Sequence, residues 1–85
     1  MPDKLVLGLY IKERSKNVPM VQTILTEYGC FIKSRIGLHE VVNDKCSPNG
    51  LIIIECCGNE KKCEMMAKKL AKIDGVEVQK MIFKT

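Results

Sequence analysis

The sequence predicts an α+β fold, a ferredoxin-like βαββαβ sandwich, and three observations support this prediction. Segments of strand and helix periodicity follow one another in the order strand, helix, strand, strand, helix, strand. These segments use nearly all of the 85 residues, so we expect a single domain over residues 1–85. Right-handed crossovers then give an antiparallel sheet of order 4-1-3-2 with both helices on one face.

The first strand is predicted over residues 4–12, where leucine and isoleucine occupy every second position. Asn17 is the expected N-cap of the following helix, and Pro19 is tolerated in a first turn. Apolar residues then recur at helical spacing, at Val18, Val21, Leu25 and Tyr28. Gly29 is expected to end this helix in a left-handed conformation.

The second half of the chain repeats the strand and helix pattern. A second strand is predicted over residues 31–42 and a third, nearly all apolar, over residues 51–57, joined by a polar link over residues 43–50 that is rich in turn formers. Asn59 is the expected N-cap of the second helix. The Asp74-Gly75 pair should end it, with the last strand over residues 76–84.

One face of such a sheet has no helix to cover it. The alternation of side chains predicts a mainly apolar surface there, formed by Val6, Tyr10, Leu51, Ile53, Met81 and Phe83. This is too much apolar surface for a small monomer to expose to water. We therefore expect the chain to assemble with itself, as a homodimer or a tetramer.

Composition and the absence of certain motifs argue against several classes of function. Fourteen basic against ten acidic residues give a net charge of +4, which suits a small anionic ligand and does not indicate direct nucleic-acid binding. No leader pattern and no apolar run of membrane-spanning length is present, so we expect no membrane association and a cytoplasmic location. Neither a Ser-His-Asp arrangement nor a close carboxylate pair is apparent, so enzyme activity is not expected.

The cysteines and the single histidine are the candidate metal ligands. Five cysteines without a C-x-x-C pair suggest free thiols, and core packing is the expected role of most of the group Cys56, Cys57 and Cys63. His39 and Cys46 flank the polar link, and imidazole with thiolate suits a transition metal such as nickel, zinc or iron. Two ligands make an incomplete site that a neighbouring subunit would have to complete. The alternative is a surface histidine and an ordinary loop thiol.

A second candidate site lies along the second strand. Arg35, Gly37 and His39 alternate there and are expected on the uncovered face. A guanidinium beside a glycine lets a carboxylate or phosphate approach the backbone closely. The alternative is that these residues form the solvated side of an outer strand.

Short motifs in the chain resemble the family of iron-only hydrogenase system regulators. In that family a helix ending in E-Y-G leads into a strand with I-x-x-R-[MV]-G, which corresponds here to residues 27–29 and 32–37. The likeness continues in the apolar residues 51–54 and in Gly75-Val76-x-Val78. The family looks ACT-like and is similar to the C-terminal domain of nickel-responsive repressors. The resemblance implies a stand-alone regulatory domain that oligomerises and senses a small effector, linked to iron-only hydrogenase regulation.

The same resemblance implies where the effector would bind. ACT domains bind small molecules, often amino acids, at subunit interfaces near the first loop and helix. The corresponding region here is residues 13–18, in particular Arg14, Ser15, Asn17 and Val18, with Arg35 and Gly37 as neighbours. In the nickel-responsive repressors a histidine stands where this chain has Gly37, so only His39 and Cys46 of a metal set are present. A metal-binding regulator and a ligand-free interaction module therefore remain the alternative functions.

Overall fold

The computed structural model describes the backbone of residues 3–42 and 45–84, and the side chains of these ranges except residues 14, 15, 38–42 and 45–48. It consists of β1 (Lys4–Ile11), α1 (Arg14–Glu27), a short 3-10 helix (Gly29–Phe31), β2 (Ile32–Val42), β3 (Lys45–Cys56), α2 (Glu60–Ala71) and β4 (Val76–Phe83). The antiparallel sheet has the order β2-β3-β1-β4, which is the predicted 4-1-3-2 order seen from the other edge. The ferredoxin-like prediction is confirmed.

The core lies between the two helices and one face of the sheet. Strand β1 is central, and its alternating pattern gives a row of side chains that are almost fully buried, namely Leu5, Leu7, Leu9 and Ile11. Val21 and Leu25 of α1 and Met66 and Leu70 of α2 pack onto this row. Within the described residues, neither helix has the length and apolar character needed to cross a bilayer.

The two helices begin in different ways. Asn59 caps α2 as predicted, since its Oδ1 atom accepts a hydrogen bond from the Lys62 amide at 3.1 Å. The prediction for α1 is wrong, because this helix already begins at Arg14, after Glu13, whose side chain makes no capping bond. Asn17 lies inside the first turns of the helix instead.

The end of α1 also differs from the prediction. Gly29 does not adopt a left-handed conformation; it begins the 3-10 helix that leads into β2. The glycines with positive φ among the described residues are Gly58 and Gly75, in the turns before α2 and before β4. The 3-10 helix therefore makes the connection from α1 to β2 for which a left-handed glycine was predicted, and it does so without a positive φ.

Strand β3 begins at Lys45 rather than at residue 51, so residues 45–50 of the predicted polar link belong to a strand. The pairs Val41–Cys46 and Val42–Lys45 extend the ladder with β2. Pro48 is tolerated in β3 because it falls in the register break between the pairs His39–Gly50 and Val41–Cys46, and because β1 pairs with β3 only as far as Ile11–Gly50.

The register of β2 corrects the predicted placement of Arg35 and Gly37. Arg35 pairs with Ile54, which is fully buried under the helices, and Gly37 pairs with Ile52, so both lie on the helix side of the sheet. An irregularity of register between Ile32 and Ser34 is the reason, because one extra residue reverses the alternation beyond it.

Candidate functional site

A cavity of about 320 Å³ lies where the end of β1, the start of α1 and the turn before β4 meet. Its walls are formed by the turn 73–75 on one side and, on the other, by Lys12, Glu13, Lys16, Asn17 and Met20. The two sides meet because β1 and β4 are paired, with Ile11 opposite Val76. The loop after one strand therefore lies beside the turn before the other.

Asn17 holds these segments together. Its side chain is buried and donates from Nδ2 to the Lys12 carbonyl at 2.6 Å. The Lys12 amide in turn donates to the Gly75 carbonyl at 2.8 Å. Gly75 has a φ of +86°, and a Cβ atom there would lie only 2.7 Å from Asn17 Nδ2. The floor of the cavity is thus a close-packed junction of polar groups and backbone.

Glu13 at the rim of the cavity has an unusual backbone conformation. Its φ of 51° and ψ of 57° are left-handed, and it is the one non-glycine residue with positive φ in the described part of the chain. The Glu13 amide donates to Asn49 Oδ1 at 3.2 Å, and Asn49 Nδ2 donates to the Tyr10 hydroxyl at 3.3 Å. These bonds hold the start of α1 to β3 and β1. Strained backbone of this kind is concentrated at functional sites.

The charges around the cavity are mixed. Lys12 and Lys16 supply ammonium groups, while Glu13 and Asp74 supply carboxylates. The Glu13 and Lys16 side chains are 4.0 Å apart and both are exposed. Met20 and Ile73 add apolar surface. The arrangement suits a small molecule with both a positive and a negative group.

The predicted effector residues are only partly brought together. Asn17 lines the cavity, but Val18 packs against the hydrophobic core. Arg14 and Ser15 lie in the first turn of α1, and their side chains are outside the described set. Arg35 and Gly37 are on β2, separated from β1 by β3, and are not among the lining residues.

Glu13 and Lys16 lie within the predicted effector region, whereas the lining residues that the sequence did not predict are Lys12, Met20 and the turn 73–75. The sequence did contain a signal for the turn 73–75, because the predicted strand order already places the first and last strands side by side. Extending that pairing to their ends would have brought Gly75 next to Lys12.

The two candidate metal ligands, His39 and Cys46, lie on paired strands of the sheet. His39 pairs with Gly50, and Cys46 pairs with Val41, so they are on neighbouring strands. Their side chains belong to the part of the chain that is not described. Elsewhere, among the described residues, no three His, Cys, Asp or Glu side chains are grouped so as to hold a metal ion.

The uncovered sheet face is mainly apolar, as predicted, although the register also places Glu55, Glu77 and Gln79 on it. Cross-strand pairing places Val6 beside Met81, and Tyr10 beside Leu51, on the side opposite the core. Ile36, which pairs with Ile53, joins this surface in place of Arg35. The most exposed large side chains on it are Ile36 at 59%, Met81 at 53% and Phe83 at 53%. Together with Val6, Tyr10, Leu51 and Ile53 they form what we call the uncovered face.

The cysteine group Cys56, Cys57 and Cys63 is partly core, as expected. Cys56 and Cys63 are buried, whereas Cys57 is half-buried. Burial, followed by a hydrogen bond with Cys63, raises the pKa of the Cys56 thiol to about 12. Burial also raises the pKa of Cys63. Both thiols are therefore protonated at neutral pH.

Solved structures share this fold. An uncharacterized protein from Thermotoga maritima is 21% identical, with a TM-score of 0.80 over 95% of this chain and 96% of that one. The PII-like nitrogen regulatory protein CPII from Thiomonas intermedia K12 is 12% identical, with a TM-score of 0.54 over 94% and 90%. A dimeric ferredoxin-like protein from an uncultured marine organism is 7% identical, with a TM-score of 0.52 over 96% and 94%.

At sequence identities this low, the comparisons show only a shared fold, which is a small ferredoxin-like domain also found in a PII-like protein. No family model and no curated protein matches the chain. The resemblance to iron-only hydrogenase system regulators therefore stays a prediction.

Proposed function

We propose that this chain is a stand-alone ACT-like regulatory module, not an enzyme, which self-assembles and binds a small amino-acid-type effector. The observation that supports the proposal is the cavity at the start of α1, with its buried Asn17 and its lining of mixed charge. Neighbours in fold include a PII-like regulator and a dimeric ferredoxin-like protein, in keeping with such a role.

The charges of the cavity favour an amino acid over a simple anion. A carboxylate group would pair with Lys12 or Lys16, and an α-ammonium group with Glu13 or Asp74. Ile73 and Met20 would contact an apolar side chain. A cavity of about 320 Å³ lies within the size range of small-molecule sites.

The hydrogen bonds from Glu13 through Asn49 to Tyr10 support a link between effector and assembly. They connect the rim of the cavity to a side chain on the uncovered face. An effector that contacts Glu13 would then favour one assembly over another by population shift. Hydrogenase regulation is the process we propose, on the strength of the motifs in α1 and β2 that resemble that family.

Thermal unfolding of the full chain with each protein amino acid at millimolar concentration tests the effector site. A subset should raise the melting temperature by about 5 °C or more, since a ligand at 100 times its Kd stabilises a protein by about 2.7 kcal/mol. Lys16→Ala should reduce this shift because one carboxylate partner is lost. Lys62→Ala, on the exposed side of α2, is the matched control and should respond like the wild type. Absence of any shift, or equal responses of the two variants, would refute the effector proposal.

A metal-binding regulator is the second candidate, and the register of β2 and β3 favours it. The pairs His39–Gly50 and Val41–Cys46 put the two candidate ligands on adjacent strands, where a second subunit could complete the set. Metal retained by the purified protein and lost in His39→Ala would support this function. A module that binds neither amino acid nor metal would be the ligand-free alternative.

A further inference from the structure

Four described cysteines gather at one end of the molecule. Cys30 lies in the 3-10 helix, Cys56 ends β3, Cys57 follows it, and Cys63 lies in α2. Cys63 Sγ lies 3.9 Å from both the Phe31 and the Cys57 carbonyl oxygens, which brings α2 against the segments that carry Cys30 and Cys57. The grouping is independent of the cavity and of the uncovered face.

The four thiols fall into two environments. Cys56 and Cys63 are buried, with burial as the main cause of their raised pKa, so they are shielded from solvent and remain protonated. Cys30 is exposed and Cys57 is half-buried. Only the thiolate is nucleophilic, so reaction with a soluble oxidant is restricted to the accessible pair.

Cys30 and Cys57 are held close together. The Cys57 amide donates to the Phe31 carbonyl at 2.8 Å, which fixes the segment after β3 against the 3-10 helix. The Cys57 sulfur lies 4.0 Å from the Cys30 carbonyl oxygen. That oxygen is two bonds, roughly 2.5 Å, from the Cys30 Cα atom. The Cys57 sulfur is therefore within roughly 6.5 Å of the Cys30 Cα atom, so the two cysteines are direct neighbours in space.

We propose that Cys30 and Cys57 are a redox modification site that forms a reversible intramolecular disulfide on exposure to a hydroperoxide. The exposed Cys30 thiolate attacks the peroxide oxygen, the O–O bond breaks, and an alcohol leaves after taking a proton. Cys30 is then a sulfenic acid. The Cys57 thiolate attacks its sulfur, the S–S bond forms, and hydroxide leaves as water. Two thiols are oxidised by two electrons and one hydroperoxide is reduced.

The bridge would tie the connection between α1 and β2 to the end of β3. Because these segments are already joined by the Cys57–Phe31 backbone hydrogen bond, the disulfide would reinforce an existing contact and not create a new arrangement. A thiol reductant would restore the two free cysteines.

The test uses the reduced full-length chain treated with a small excess of hydrogen peroxide. Intact mass should fall by two hydrogen atoms, and peptide mapping without reductant should join the peptides of Cys30 and Cys57. Dithiothreitol should reverse both changes. Cys30→Ser and Cys57→Ser should each abolish the loss of mass, whereas Cys46→Ser, the control, should retain it.

Three results would overturn the proposal. Stable addition of oxygen to Cys30 with no bridge would show that Cys57 does not resolve the sulfenic acid. A bridge that involves Cys46, Cys56 or Cys63 would assign the chemistry to another pair. Cross-linked dimers on a non-reducing gel would show that Cys30 reacts between molecules.

Discussion

Gly75 lies where three segments of the chain meet, and a single methyl group there should disturb the junction. Its φ of +86° is disfavoured for any other residue, and an added Cβ would lie 2.7 Å from Asn17 Nδ2. We expect Gly75→Ala to lower the free energy of unfolding by roughly 1–3 kcal/mol, measured by urea titration. Gly29→Ala is the matched control, because no atom lies within 4 Å of its added Cβ and its φ is not positive.

The control should change stability by no more than roughly 0.5 kcal/mol. Equal effects of the two substitutions would mean that Asn17 moves away at no cost. The contacts of the junction would then not explain the shape of the cavity.

Cys56 gives a pH dependence whose sign follows from its environment. Its pKa is raised by burial from 9.0 to about 12, so the folded state retains a proton that the unfolded state loses above pH 9. The stability from this group is fully present below pH 9 and is lost as pH rises towards 12. Chemical denaturation at pH 8 and pH 10.5 should therefore show a smaller loss of stability in Cys56→Ala than in the wild type.

Cys30→Ala, which removes an exposed thiol, is the control for this measurement and should keep the wild-type pH dependence. Identical slopes for wild type and Cys56→Ala would mean that the Cys56 thiol titrates alike in the folded and unfolded states.

Asn17 shows what sequence patterns can and cannot predict about a single residue. Its residue type and position predicted a helix cap, but its side chain donates to the Lys12 carbonyl inside the β1–α1 junction. The choice between these partners depends on where the turn 73–75 packs, which is a tertiary contact. Sequence periodicity identifies a polar residue beside an apolar stripe, but it does not identify the partner.

Strand β2 shows the same limit at the scale of an element. Its existence and its place at the sheet edge were predicted, because they follow from periodicity and crossover handedness. The irregularity between Ile32 and Ser34 then exchanges the two faces, so that Ile36 and not Arg35 lies on the uncovered face. One inserted residue in the pairing has no composition signal, although it exchanges the faces on which residues 34–37 lie.

The hairpin of β2 and β3 is longer than its turn-forming residues indicated. Pro48, Asn49 and Gly50 are typical of a loop, yet they lie in β3, where Gly50 pairs with His39 and the other two fall in a break of register. Asn49 connects this segment to the cavity, because its side chain accepts a hydrogen bond from the Glu13 amide and donates one to the Tyr10 hydroxyl. An element that sequence assigns to a link therefore contacts the rim of the cavity.

At the scale of the whole molecule, the uncovered face is the feature from which we predict self-assembly. One side of the sheet is closed by helices, while the other exposes Ile36, Met81 and Phe83. This asymmetry was predictable from alternation along the strands, because a fold with both helices on one face leaves the other open. Covering the face with the same face of a second copy satisfies both subunits at once.

Native mass spectrometry of tag-free, anaerobically purified protein should therefore give a dimer or tetramer. Met81→Glu places a carboxylate in the interface of each subunit, which should cost roughly 2 kcal/mol or more and weaken assembly at least about thirtyfold. Met65→Glu is the matched control: Met65 is an exposed methionine of α2, on the other side of the molecule. It should leave the assembly intact.

The same spectra separate the functions proposed for this fold. An oligomer without added mass would favour effector sensing, whereas an oligomer that retains a metal lost in His39→Ala would favour the metal-binding alternative. A wild-type monomer at micromolar concentration, or equal dissociation of Met65→Glu and Met81→Glu, would contradict assembly through the uncovered face. The connection from Glu13 through Asn49 to Tyr10 would then end at a solvent-exposed surface, and effector binding at the cavity would need a different partner on which to act.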